Sequence, residues 1–287
     1  MQKILIFLKT LFLSGSDNQS FIGATWVVIL LKATPKKFKR FVALSVLSWS
    51  PHYFYRDANE EYDQLPFKDF IEEEAKRNKE SREKIVNQIL APYLSSDLTV
   101  LDYGCGPGFL ANAVSPHVEQ LFAVDVSKGV LECARTLNGQ ENTTYLHISQ
   151  LDRIKPGSID LVYSFAVIQH VTDEIFRGIL DVCSKVLKEN GKIVFHVVLD
   201  HQEWQKEEEW LADNSLEGKL KRKYALNCFA RDEESILQML KDYGFSSISL
   251  QPVESICSED FDDICKQHLV TALKTTQSKE ASLLVSR

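Results

Sequence analysis

The chain is short of three things, and each shortage narrows what it can be. It has six cysteines in 287 residues, scattered along the chain, and no two form a C-x-x-C pair. They read as free thiols of a reducing, cytoplasmic compartment, not as a metal site. It has no apolar run of the roughly 20 residues that a bilayer span needs. Met1 to Leu13 is broken by Lys9, and Phe21 to Leu31 has the length of a core helix. It also lacks basic charge over most of its length. The net charge is −7, yet residues 1–56 carry eight lysines and arginines against Asp17 alone, a net +7 that leaves −14 for the rest. A body that acidic speaks against a nucleic-acid substrate, because neutralising phosphates takes clustered Lys and Arg.

The basic N-terminal part has its own pattern. Ile4, Leu5, Leu8, Leu11 and Phe12 fall at helical spacing, with Lys3, Lys9 and Thr10 on the other side. Such a helix can lie on a membrane surface, so residues 1–40 are a candidate for peripheral membrane contact. The same spacing also suits a helix that caps the core. As a signal peptide the stretch has a thin basic start at Lys3 and no clean small-residue cleavage site. Phe41 to Trp49 is a further helix-like run, stopped by Ser50-Pro51. His52-Tyr53-Phe54-Tyr55-Arg56 is an aromatic cluster that either packs on the core or forms a substrate lid. Residues 1–56 are therefore expected to be a helical, basic extension ahead of a domain spanning 57–287. Phe67 to Leu94 is expected to be helical, in two segments.

The densest information lies at Thr99 to Leu110. Thr99, Val100 and Leu101 make a short β-branched and apolar run, as in a strand covered on both faces. Asp102 ends it, and Gly104, Gly106 and Gly108 follow within five residues. Glycines so placed let the backbone turn tightly and approach a ligand, with the N–H groups of the next helix pointing the same way. Two frames fit. Gly106-Pro107-Gly108-Phe109-Leu110-Ala111 matches the G-x-G-x-x-G/A dinucleotide pattern, but ignores Asp102 and Gly104 and puts Pro107 where backbone donors are needed. Asp102-x-Gly104-x-Gly106-x-Gly108 resembles the first motif of class I S-adenosylmethionine (SAM)-dependent methyltransferases.

The downstream chain repeats that resemblance, which covers roughly residues 70–275. Gln120 to Asp125 reads as a second strand ending in a carboxylate about 20 residues past the glycines, where it can accept ribose hydroxyls in either family. Ser127 caps the next helix. Thr143 to Ile148 is a third strand, followed by Ser149 and Gln150 where the family usually has an acid. Ile159 to Ser164, then Phe165 to Val171, resembles the family's fourth-strand segment ending in His-Val. Thr172 caps a helix closed by Asn190-Gly191, and Lys192 to Leu199 is a fifth strand. Residues 200–227 form an insertion, and a helix, strand, loop and strand complete the core near residue 275.

The resemblance implies an α/β fold: a doubly wound, mostly parallel seven-stranded sheet with an N-terminal helical extension and a core of about 97–275. It implies S-adenosyl-L-methionine as cofactor, lined by Asp102, Gly104, Cys105, Gly106 and Gly108, by Asp125 and Val126, by Gln150 and Leu151, and by Ser164 and Phe165. His170 is the candidate general base, with His201 second. The reaction would be attack of an acceptor on the SAM methyl. No N-P-P-[YFW] motif, Pro-Cys pair or paired glutamates follow the fourth strand, so a small-molecule, possibly apolar acceptor is expected in place of nucleic acid or protein arginine. A non-catalytic module with the same fold and an NAD-dependent oxidoreductase remain as alternatives.

Overall fold

The computed structural model describes residues 25–48, 53, 65–199, 206–216, 218–219, 228–257 and 267–275. Helices α1 (Thr25–Ala33) and α2 (Lys36–Leu47) come first. Helix α3 (Phe67–Ile85) starts behind Pro66 and buries Phe70, Ile71, Ala75 and Ile85 along one side. It is one helix, not two segments: nothing from Phe67 to Leu90 is Gly or Pro, and the backbone passes through a wide turn at Val86–Leu90 before Pro92 closes it.

The sheet strands are β1 (Thr99–Tyr103), β2 (Gln120–Asp125), β3 (Thr143–His147), β4 (Ile159–Ser164), β5 (Leu187–Val197), β6 (Phe245–Pro252) and β7 (His268–Lys274). The helices between them are α4 (Phe109–Val114), α5 (Lys128–Asn138), α6 (Asp173–Val186), α7 (Glu207–Ala212) and α8 (Glu233–Asp242). The order across the sheet is β3-β2-β1-β4-β5-β7-β6. The first five strands are parallel, and β7 runs antiparallel between β5 and β6. This is the expected seven-stranded, mostly parallel sheet closed by an antiparallel hairpin.

Strand alternation sorts the two faces. Leu101, Tyr103, Val162, Ile193 and Phe195 point to one side and pack with Phe176, Ile179 and Leu180 of α6 and Ile236 and Leu240 of α8. Val100, Leu161, Tyr163 and Val194 point to the other, against Ile85, Leu110, Leu131 and Ala134. Ser127 caps α5 by accepting from Val130 N at 3.3 Å, and Thr172 caps α6 by accepting from Ile175 N at 3.3 Å. One expected boundary is corrected. Helix α6 ends at Val186, and Asn190-Gly191 lies inside β5, with Asn190 at φ 60°. Leu187 pairs with Ile159, and Gly157 N and Ser158 N donate to the Lys185 and Val186 carbonyls, so β4 captures the chain as soon as the helix ends.

Helices α1 and α2 bury Val27, Leu31, Ala43, Leu44 and Leu47 against Phe70 and Ile71 of α3, Phe109 of α4 and Cys133 of α5. Burying an apolar side chain of that size stabilises by about 1.5–3 kcal/mol. This packing sets α1 and α2 beside α4 and α5, on the side of the sheet that carries the glycine turn. Met1 to Leu13, His52 and Phe54 to Arg56 lie outside the described residues, as does His201.

Candidate active site

Parallel strands end together at one edge, and the expected site residues that the structure describes lie on or next to that edge. The turn after β1 is held closely: Gly104 N and Cys105 N both donate to Val124 O, at 2.8 and 3.0 Å. Gly104 sits at φ 85°, and a Cβ there would stand 2.3 Å from Val167 Cγ2. Gly108, at φ 78°, opens α4, and a Cβ there would stand 2.6 Å from the Tyr145 hydroxyl. Both positions demand glycine on conformation and on space. Cys105 is buried, and its thiol pKa is pushed well up, first by burial and then by the Asp102 and Asp125 carboxylates. It serves as a small apolar side chain.

Asp102 is 2% exposed. Burial pushes its pKa up to about 8, with the neighbouring Tyr163 hydroxyl pulling the other way and Asp125 adding to the rise. The hydroxyl lies beside the carboxyl without a hydrogen bond of good geometry, and Asp102 Oδ2 likewise has no partner among the described residues. Asp125, at the end of β2, accepts from Gly106 N at 3.0 Å through Oδ2 and from Ser127 N at 2.8 Å through Oδ1. Its pKa is raised by burial, against the pull of these backbone donors. A carboxylate has about four lone-pair sites, so two backbone bonds leave room for a ligand. Tyr53 reaches the same turn: a Cβ on Gly106 would stand 3.3 Å from its ring. Asn78 of α3 donates to the Tyr53 carbonyl at 3.3 Å.

The next loops are organised by a residue that sequence reading missed. His147, at the end of β3, takes the Ser149 N–H at Nδ1 (3.2 Å), so Nε2 donates to Val126 O at 3.0 Å. Burial lowers its pKa, which keeps this neutral form. Gln150 Oε1 accepts from His147 N at 3.1 Å, tying Gln150 to the same bracket. Leu151 packs at the margin of the core beneath. The only sequence signal was a histidine closing a strand, which is too common to single out.

At β4, Ser164 Oγ donates to Tyr103 O at 2.7 Å and locks the ends of β1 and β4 together. Phe165 stacks on His196 of β5 with ring centroids 5.6 Å apart and planes 7° from parallel. Ala166 follows at φ 58°, an unfavourable backbone for a residue with a Cβ. His170 lies on the next turn, with Nδ1 3.6 Å from Cys228 Sγ. That turn is stapled by Arg231, which is buried and donates to Asp173 Oδ1 and to the Ile168 and Val171 carbonyls. The structure thus gathers Asp102, Gly104, Cys105, Gly106, Gly108, Asp125 and Val126 at one end of the edge. Ser164, Phe165 and His170 stand at the other. A groove of about 370 Å³ between α3 and α4, lined by Lys79, Glu83, Asn87, Asn112 and His117, holds none of these residues.

Residues 101–195 match the family model of a methyltransferase domain. The match begins in β1 and ends in β5, so it takes in the Asp102–Gly108 turn. The chain's relatives include a ubiquinone biosynthesis O-methyltransferase from Idiomarina loihiensis, 35% identical over 33% of this chain and 40% of that protein. An N-demethylindolmycin N-methyltransferase from Streptomyces griseus is 31% identical over 30% of this chain and 37% of that one. The matched part spans less than half the length of these curated relatives. Among solved structures, the complex between the Haloferax volcanii Trm112 methyltransferase activator and its methyltransferase superposes with a TM-score of 0.50, at 14% identity, over 70% of this chain and 95% of that chain.

Proposed function

We propose that this protein transfers a methyl group from S-adenosylmethionine to a small-molecule acceptor. The observation that carries the reading is the glycine turn lying between two carboxyl groups, one of them with a buried oxygen lacking a partner. Those residues fit the cofactor. Asp102 Oδ2 suits the ammonium of the methionyl end, the side-chain-free turn admits the ligand against backbone, and the spare lone pairs of Asp125 suit the ribose hydroxyls. Val126, Gln150 and Leu151 would line the adenine, with Ser164 and Phe165 lining the cofactor from the end of β4. When bound, the cofactor supplies a methyl on a sulfonium, already a good leaving group. The protein's work is then to orient the acceptor and to exclude water. His170 is the candidate to take a proton where the acceptor must lose one.

Calorimetric titration with SAM, S-adenosylhomocysteine and NADH tests the reading, with Asp125→Ala as control. Binding of both adenosyl ligands, lost in the variant, is expected. Binding of NADH alone would overturn it in favour of an oxidoreductase, and silence from all three in favour of a non-catalytic module.

A second element of the proposal concerns the N-terminal helices. Ile29 (66% exposed), Phe38 (51%) and Phe41 (41%) stand out beside Lys32, Lys36, Lys37, Lys39 and Arg40. Exposed apolar side chains among cations suit an anionic lipid surface. The contact we propose is peripheral; among the described residues no helix is long and apolar enough to cross a membrane. Co-sedimentation with anionic vesicles should fall sharply in Phe38→Ser/Phe41→Ser; unchanged partitioning would end the idea.

A further inference from the structure

Two histidines are buried where strands reach this edge, and each is held in one tautomer by a backbone N–H. His196, near the end of β5, points to the same side of the sheet as Asp102. Burial pushes the pKa of its ring down to about 3, so it is neutral. Ala166 N lies 3.2 Å from Nδ1, and an amide N–H can only donate, so the one proton is on Nε2. His147, at the end of β3, is set in the same way by Ser149 N. What distinguishes it is the destination of its Nε2–H, the carbonyl of Val126 in the loop after the neighbouring strand.

That carbonyl belongs to the peptide whose nitrogen is Ser127 N. One peptide unit is therefore gripped at both ends. Its oxygen accepts from His147 Nε2 at 3.0 Å, and its N–H donates to Asp125 Oδ1 at 2.8 Å. A peptide is planar, so fixing its oxygen also fixes the direction of its N–H. Donation to the carbonyl polarises the unit and strengthens the bond that the N–H makes in turn. The β2–β3 ladder ends at the pair Asp125 and His147, so this peptide lies just beyond the paired strands. The imidazole holds it there from the side. The ring is itself anchored, since Ser149 N donates to Nδ1 at 3.2 Å and the His147 N–H donates to Gln150 Oε1 at 3.1 Å. The other oxygen of Asp125 accepts from Gly106 N at 3.0 Å. The carboxyl is thus fixed from the glycine turn on one side and from His147 on the other.

We infer that His147 is a positioning residue of the cofactor site: through the Val126–Ser127 peptide it aims the Asp125 carboxylate at the ribose hydroxyls. This rests on the methyltransferase reading, which gives Asp125 the ribose, and adds the group that holds the carboxylate in place. His147 acts through the peptide and takes no part in the chemistry.

Two variants divide the two bonds of the ring. His147→Asn keeps an oxygen where Nδ1 stood, to accept from Ser149 N, and has nothing that reaches Val126 O. His147→Gln keeps a donor for Val126 O and loses the acceptor for Ser149 N. Each loses the ring and one bond, so a merely structural role would weaken both alike. The probes are adenosine and 2′,3′-dideoxyadenosine, which lacks both ribose hydroxyls, titrated into the full chain beside S-adenosylhomocysteine. Wild type is expected to prefer adenosine at least about tenfold, the effect of hydrogen bonds to a charged acceptor. That preference should fall to about twofold or less in His147→Asn and stay within about threefold of wild type in His147→Gln. An undiminished preference in His147→Asn, or an equal loss in both variants, would overturn the inference. So would a wild type that binds S-adenosylhomocysteine without preferring adenosine. A wild type that binds none of the three would overturn the methyltransferase reading, and this inference with it. ¹⁵N spectra of wild type give a check that needs no folded variant. An Nε2–H tautomer of His147 is expected, whose signal and that of the Ser127 N–H shift more with adenosine than with dideoxyadenosine. An Nδ1–H tautomer, or equal shifts with both nucleosides, would sink it.

Discussion

The two halves of the sheet's carboxyl edge are built by opposite means. The β1–β2 half is made by removing side chains: three glycines at positive φ clear a space, and two carboxyl groups flank it. The β4–β5 half is made by inserting large, fixed groups: a Phe–His stack, a strained alanine and a buried arginine that staples the next turn. The first is a cradle in which backbone does the contacting, suited to a ligand that must always be the same. The second presents side chains, which can be changed one at a time, and suits the partner that distinguishes one such protein from another.

The largest effect that would sharpen this contrast is expected at Asp102. Its folded pKa, near 8, lies above the unfolded value near 4, so the folded state binds the proton more tightly. Its contribution is fully present below pH 4 and is lost as pH rises toward 8, at up to about 1.4 kcal/mol per pH unit. Asp102→Asn removes that slope. Urea unfolding without ligand should show the variant more stable than wild type, by a margin growing from pH 5 to pH 7. A constant margin would mean the carboxyl is ionised in the folded protein.

Arg231→Ala comes next, at about 3 kcal/mol, because it removes a buried side chain and leaves the buried Ile168 carbonyl and the part-buried Val171 carbonyl without their donor. If the halves are independent, affinity for S-adenosylhomocysteine changes little in this variant while the melting temperature drops. A parallel loss of cofactor affinity would break the comparison.

Gly104→Ala should cost about 2 kcal/mol and abolish cofactor binding, since the new Cβ meets Val167 in a conformation that L-residues avoid. Denaturation and calorimetry together measure it. Retained binding would mean that the turn is not the contact surface.

The smallest effect belongs to Tyr53→Ala. Losing a ring beside Gly106 should weaken S-adenosylhomocysteine by about 1 kcal/mol, a fewfold change in affinity. No change would detach the N-terminal segment from the cradle.

The first half was legible because its signals are local. A β-branched run, an acid and alternate glycines lie within ten residues, and the Asp125 carboxylate closes the next strand. The caps at Ser127 and Thr172 are as local, each bonding three residues ahead. The second half was legible only in part: Ser164, Phe165 and His170 stood out in the segment after β4, but the groups that fix them are remote in sequence. Arg231 is 58 residues from Asp173, and His196 is 30 from Ala166. Helix α6 shows the same limit on a smaller scale: Asn190-Gly191 has the composition of a helix end, but pairing with β4 had already claimed the chain at Leu187.

By itself the sequence determined the alternation of strands and helices, the glycine turn and the carboxylate at the end of β2, since each follows from steric and periodic rules acting over a few residues. Only the tertiary structure decided which face His196 and Asp102 share, which nitrogen of His196 keeps its proton, and that burial raises the Asp102 pKa. Those depend on burial and on neighbours that the chain meets only when the sheet has closed.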